Sequence, residues 1–431
     1  MNITQIRIKK LFDLYNHEIK LNSSEKITII HGPNGVGKTI ILQMLKSIFN
    51  TKYDIFYKVP FEEFSIGFDN NDTLFLRKRH NEQKNQDELI INLNGDDATQ
   101  IQLDSMPDAI IFDKILQNHP NVKKMGYDEW LDFSDGDMLN SREVLERYNL
   151  QLPVKQNVVG WFNEIKENIN VDFIGTQRLI KLEYSGKKYS SRPNSSIKKT
   201  VSNYSSELAG EIQKQLARYA TLSQSLDRSF PIRLTKMKTD VNYADLEANL
   251  LKLEERRTNL IKIGVLDADY EFNYLTEVPD VNQETAHVLS VYSEDIKKKL
   301  DVFNDLLIKL DMFVGIINKR FVNKYLSVNK DKGFIIKICN ETEIQPTDLS
   351  SGEQHELVLY YELLFKIESG SLILIDEPEI SLHIGWQNEF LNDLMKVIEL
   401  GDFDVLIATH SPDIIGDRWD LTVQLDASVV N

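Results

Sequence analysis

Eight residues near the start of the chain, Gly32-Pro33-Asn34-Gly35-Val36-Gly37-Lys38-Thr39, have the types and spacing that hold phosphate groups. Glycines let the backbone turn its N–H groups inward, and a helix beginning there adds the positive end of its dipole. Asn34, Gly35, Val36 and Gly37 are expected to cradle the phosphates, with Lys38, Thr39 and Ile40 opening the helix. Lys38 would reach the β- and γ-phosphates of ATP, and the Thr39 hydroxyl would ligate Mg²⁺. The flanks fit this reading: KITII before the loop reads as a strand, and TIILQMLKSIF after it as a helix.

A second group lies near the other end. The apolar run Leu372 to Ile375 ends in Asp376-Glu377, and Pro378 stops it. On a parallel strand beside the phosphate loop, Asp376 would lie at the Mg²⁺ and Glu377 could polarise an attacking water as general base. Upstream, Leu349-Ser350-Ser351-Gly352-Glu353-Gln354 opens the helix EQHELVLYYELLF, with Ser350 and Glu353 spaced as a capping box. In DVLIATHSPD a strand ends at Thr409-His410, and in VDFIGTQRL a strand ends at Gln177. Taken singly, these three have structural alternatives: an ordinary helix start, and polar residues at strand ends.

Together the motifs resemble those of the ABC ATPases. Gly352 stands 24 residues before Asp376, where that family places its LSGGQ-type signature ahead of the acidic strand; here Ser351 replaces the first glycine. The resemblance implies that the signature (Ser350, Ser351, Gly352, Glu353) binds the γ-phosphate of ATP held by another copy, through Ser350 and the Gly352 N–H. It also implies that His410 contacts the γ-phosphate and that Gln177 senses Mg²⁺ and that phosphate. Active sites would then form in a head-to-head dimer or higher homo-oligomer. His383 falls in the segment that crosses the dimer interface in that family.

The elements that must position these residues are legible as periodicities. ITQIRIKK, HEIKL, KITIIHG, EFSIGF, TLFLRK, ELIINL and QIQL read as strands separated by Asn, Asp and Gly turns, interrupted by one helix after Lys38. From about Ser105 to Asn170 the pattern reads as helical, clearest in VVGWFNEIKENI. Three further helices follow, marked by Leu208 to Leu226, by Leu246 to Leu260, and by Leu289 to Phe321. The third holds a near-heptad for more than four repeats, predicting a single coiled-coil-like helix of about 37 residues, or about 55 Å. The expected fold is α/β: a nucleotide-binding head with a mixed sheet, flanking helices and an antiparallel β subdomain, split by helical insertions that form a short arm. Its pieces are residues 1–103, a helical insertion 104–170, a strand segment 171–182, a basic loop and arm 183–324, and the closing half 325–431.

Composition narrows the class. A hydrophobic fraction of 42% with 27% charged residues is ordinary for a soluble globular chain. Neither a membrane span nor a signal peptide is read, and a single cysteine, Cys339, excludes internal disulfides and cysteine metal sites, so a cytoplasmic protein is expected. The net charge of −16 argues against a body coated by nucleic acid. The basic stretch from Arg178 to Lys199 reads as a solvated loop or as a docking surface for nucleic acid or protein.

Roughly 310 residues separate the phosphate loop from the signature, an arrangement similar to SMC-like DNA-repair ATPases with a shortened arm. The phrases ITIIHGPNGVGKT, LSSGEQHELVLYYELLF, LILIDEPEISLHIGWQ and ATHSP most resemble bacterial defence ATPases: the overcoming-lysogenization-defect (OLD) family and the ATPase subunits of the PARIS and Septu anti-phage systems. OLD proteins continue into a Toprim nuclease, whereas 21 residues follow His410 here. The resemblance therefore implies a sensor that controls a separate nuclease subunit, Toprim or HNH, with DNA or a phage component as a further partner. A DNA-binding repair or chromosome-maintenance ATPase, and a scaffold with little turnover, remain open alternatives.

Overall fold

The computed structural model describes residues 1–50, 53–81, 86–103, 116, 119–125, 130–134, 137–139, 144, 147–148, 150, 160–175, 180–182, 197–236, 242–267 and 282–426. Gln177 and most of the basic stretch 178–199 lie outside them.

At the centre is a five-stranded, all-parallel sheet in the order Val171–Ile174, Leu372–Asp376, Asp404–Ala408, Ile27–His31, Thr422–Gln424. Both ends of the sequence thus meet in one sheet. Its strands are near-continuous apolar runs because both faces are covered. Ile27, Ile29, Ile373, Ile375, Val405 and Ile407 pack into one core, and their alternate neighbours Ile30, Leu372, Leu374, Leu406 and Ala408 into another. The second core holds the phosphate-loop helix Lys38–Phe49 and the first holds the signature helix Ser351–Tyr361 and the helix Ile384–Gly401. A six-stranded antiparallel sheet from residues 3–103 packs on the second core. The fold is mixed α/β, with parallel and antiparallel sheets and a helical arm. Among the described residues no helix is long and apolar enough to cross a membrane.

Three expectations are corrected. The strand-rich start contains a second short helix, Asp54–Lys58, besides the one after Lys38. In the segment read as helical, 104–170, the described residues include three short strands, Val122–Lys124, Trp130–Asp132 and Met138–Leu139, before the helix Gly160–Asn168. A local core fixes them: Trp130 is fully buried against Leu116, Val122, Leu139 and Val144. The buried Asp132 accepts from the Ser134 N–H at 2.9 Å and from Arg147 at 3.0 Å.

The third correction concerns the arm. The predicted single helix is two, Gln283–Asp301 and Asn304–Arg320. Tertiary contacts override the periodicity at the junction: Arg256 reaches over from the helix Tyr243–Ile263 to grip Asp301 at 2.9 Å and also Asn304. Phe303 turns fully inward and packs on Tyr219, centroids 5.5 Å apart. The longest helix is instead Thr200–Lys236, at 37 residues. It pairs with the helix Gln283–Asp301 through Arg233–Asp295, whose second contact is 2.6 Å, and Lys299–Asp227 at 3.0 Å.

The base of that helix seats the hairpin Lys324–Asn329/Gly333–Ile338. Ser205 donates to the carbonyls of Lys332 at 2.7 Å and Phe334 at 2.8 Å. Gly333 has φ +82°, and a Cβ there would fall 1.8 Å from the Ser205 carbonyl oxygen. Gly333→Ala is therefore expected to cost at least about 2 kcal/mol from backbone strain plus overpacking, read as a lowered urea midpoint. An unchanged midpoint would show that the hairpin moves away freely.

Candidate functional site

The parallel sheet brings the two motif groups together at the carboxyl ends of its three central strands. The strand Ile27–His31 and the strands ending at Asp376 and Ala408 are adjacent, so the phosphate loop, Asp376-Glu377 and Thr409-His410 all leave the sheet side by side. Gly37 closes the loop at φ +97°, and a Cβ would stand 2.4 Å from Leu11 Cδ2 and 3.3 Å from the Phe12 ring. The helix it starts has no side-chain cap and no acidic residue in its first turn. Its leading N–H groups therefore face an end suited to an anion. His17 supports the loop from beneath, its Nε2 lying 2.9 Å from the Val36 carbonyl; burial lowers its pKa, consistent with a neutral ring.

Lys38, only 5% exposed, donates to the carbonyls of Gly32 at 2.8 Å and Pro33 at 3.1 Å, and to His410 Nδ1 at 3.1 Å. Burial pulls its pKa down, while Glu377, Glu379 and Asp376 oppose that pull. With Lys38 donating to Nδ1, a neutral His410 carries its proton on Nε2, 3.6 Å from Glu377 Oε1. Thr39 Oγ1 donates to Asp376 Oδ1 at 2.9 Å. Burial raises the Asp376 pKa, with Glu377 and Glu379 adding to the effect. Glu377 itself sits in the left-handed region at φ +46°, unusual for a residue with a side chain, and its N–H donates to the Ala408 carbonyl at 2.8 Å.

Asp376 and the Thr39 hydroxyl bonded to it offer two oxygen donors that fit part of a divalent cation's shell. Among the described residues no cluster of three or more His, Cys, Asp or Glu could hold a metal alone. A cation here would take Thr39 and Asp376 and complete its shell with phosphate oxygens and water, as Mg²⁺ does with nucleotides.

The signature stands apart. Ser350 caps its helix, and both bonds of the capping box are present: Glu353 N–H to Ser350 Oγ at 3.4 Å, and Ser350 N–H to Glu353 Oε2 at 2.9 Å. Lys324 pairs with Glu353 at 2.7 Å. Burial would raise the Glu353 pKa, but the bonds from Lys324 and Ser350 hold it below its usual value. Ser350 and Ser351 are exposed. Among the described residues no hydrogen bond or ion pair joins Ser350, Ser351, Gly352 or Glu353 to Lys38, Thr39, Asp376, Glu377 or His410. His383 caps the helix Ile384–Gly401, accepting from the Gly385 N–H at 3.3 Å, and the neighbouring Ile380 and Ile384 are exposed.

Sequence reasoning passed over His17, Glu379 and Gln387. Glu379 Oε1 accepts from the His410 N–H at 2.7 Å and from the Thr409 hydroxyl at 2.8 Å. The only signal for it is a further acid beyond the Asp376-Glu377 pair, which is weak alone.

A family model described as AAA ATPase domain matches residues 1–415. No curated protein matches the chain. Among solved structures, the Smc head domain of Pyrococcus furiosus, with an extended coiled coil and bound to the C-terminal domain of ScpA, is 13% identical. The overlap covers 100% of this chain and 96% of that one, with a TM-score of 0.35. The SMC head domain from Thermotoga maritima is 11% identical over 97% of this chain and 93% of that one, with a TM-score of 0.32. Likeness this loose places no residue.

Proposed function

The chain belongs to the AAA ATPase domain family, and from that premise we propose that it binds ATP with Mg²⁺ and hydrolyses it in composite sites between two copies. One observation carries this: Lys38, Thr39, Asp376, Glu377 and His410 converge at the carboxyl ends of three central strands, while the exposed signature serine, among the described residues, is bonded only within its own helix start. Lys38 and the first N–H groups of its helix hold the phosphates, and Thr39 and Asp376 hold the metal. Mg²⁺, when bound, neutralises charge on the β- and γ-phosphates. Glu377 takes the proton of the attacking water, and His410 steadies the γ-phosphate with Lys38. Ser350 and the Gly352 N–H close the site from the facing copy. Gln177 would complete the metal shell.

Mixing two inactive variants tests the composite arrangement. Lys38→Ala and Ser350→Arg each remove one half of a site, so a mixed dimer regains one complete site. Equal mixing should restore about a quarter of wild-type phosphate release, if the two-fold dimer exchanges subunits freely. No recovery after verified exchange would place the signature outside the site.

The cycle, in this reading, opens and closes the two heads and moves the arm to control a separate effector subunit. The motif phrases resembling the ATPase subunits of PARIS and Septu systems and the OLD family support it. A tagged pull-down from native cells, with and without ATP, should recover a Toprim or HNH nuclease. Recovery of DNA without a protein partner would favour a DNA-repair ATPase instead.

A further inference from the structure

Two residues beyond the proposed base, Glu379 takes no part in phosphate or metal binding, yet its carboxylate is tied to the strand end that carries His410. One oxygen, Oε1, accepts from both the His410 N–H at 2.7 Å and the Thr409 hydroxyl at 2.8 Å. Thr409 Oγ1 accepts in turn from the Ser411 N–H at 3.0 Å, and the Ser411 hydroxyl donates to Gln387 Oε1 at 2.7 Å. Gln387 closes the ring by donating to the carbonyls of Leu382 at 3.2 Å and Glu379 at 3.4 Å. Thr409 is fully buried and Gln387 nearly so.

The remaining oxygen, Glu379 Oε2, is buried without a hydrogen-bond partner. A half-satisfied carboxylate beside two other carboxylates is a poor choice for stability alone. A charged acceptor, however, holds its donors more tightly than a neutral one. Here the donors are the backbone of His410 and its neighbour, so the clamp fixes where the imidazole stands between Lys38 Nζ and Glu377.

We propose that Glu379 is a positioning residue for ATP hydrolysis: it clamps the Thr409-His410 strand end so that the His410 ring meets the γ-phosphate while in contact with Lys38. This rests on the assignment of hydrolysis to Lys38, Glu377 and His410. Glu379 acts through His410 and touches neither nucleotide nor metal.

The test is steady-state phosphate release against ATP concentration for the wild type, Glu379→Ala, Glu379→Gln, Glu379→Asp, His410→Ala and the Glu379→Ala/His410→Ala double variant. Alanine removes the acceptor, glutamine keeps one, and aspartate withdraws it by one methylene. Glu379→Ala should lower kcat by about 10²-fold with KM changed less than about threefold, the size expected when a reacting group is misplaced. Glu379→Gln should recover to within about fivefold of wild type, and the double variant should be no slower than His410→Ala alone. Should the alanine variant fail to fold, Glu379→Asp carries the same expectation of a kcat loss. The proposal is overturned if either variant turns over like the wild type, if the loss lies in KM, if glutamine is as damaging as alanine, or if the two losses multiply. A wild type no faster than Lys38→Ala would remove the hydrolysis assignment itself, a result distinct from any of these.

Discussion

Glu377→Gln is expected to lower ATP turnover by about 10²- to 10⁴-fold while leaving ATP affinity within about threefold of wild type, the range set by loss of a general base. The glutamine keeps the shape of the side chain but cannot take a proton. The residue is well placed for that task. It leaves the buried strand at Asp376, is held in a left-handed conformation by the bond from its N–H to the Ala408 carbonyl, and keeps its carboxylate partly exposed beside His410. Backbone strain of this kind persists where the surroundings over-determine it, often at sites of chemistry. Phosphate release and nucleotide affinity measured on the same preparation check the expectation. Turnover at the wild-type rate would remove Glu377 as the base.

Arg320→Met is expected to destabilise the fold by about 3–5 kcal/mol, because it strips the buried cation from a group that holds two buried acids and leaves Asp393 with the exposed Lys396 at 3.3 Å. Arg320, 1% exposed in its side chain, closes the last arm helix and reaches Glu356 of the signature helix and Asp393 of the helix Ile384–Gly401, the latter at 2.6 Å. It also donates to the Tyr360 hydroxyl at 2.9 Å. The cluster thus pins the arm, the signature and the segment after Glu377 to one another. Burial pushes the Glu356 pKa up to about 7 despite the opposing pull of Arg320. Its folded pKa lies above the unfolded value, so its contribution is fully present below about pH 4.5 and fades as the pH rises through about 7. The denaturant midpoint of the wild type relative to Glu356→Gln should fall accordingly over that window. Glu356→Gln in the Arg320→Met background should recover part of the loss, and an unchanged midpoint for Arg320→Met would show that the acids are compensated elsewhere.

The chemistry-bearing motifs were legible because their physics is local. The phosphate loop needs its glycines in sequence, the acidic pair must end an apolar strand, and Ser350 and Glu353 make their capping box across three residues. That both ends of the chain share one sheet followed from the same motifs. What escaped depends on partners far away in sequence. Glu379 resembles any turn acid until its bonds to Thr409 and His410, some thirty residues on, are seen. Arg320 reads as the charged end of an amphipathic helix, and its partners lie 36 and 73 residues on. The break before Asn304 hides inside a sustained apolar period because Phe303 itself fits that period; only Arg256 and Tyr219 reveal the turn. The small strands around Trp130 are too short to carry a pattern of their own.

The most direct measurement of the central claim is Mg²⁺-dependent phosphate release from ATP per chain, followed across chain concentration for the wild type and Lys38→Ala. Composite sites predict turnover that rises as chains pair, levels off when pairing is complete, and vanishes in Lys38→Ala. Release that matches Lys38→Ala at every concentration would contradict the claim that this chain is an ATPase, and release per chain independent of concentration, from a protein shown to be monomeric, would contradict the shared site.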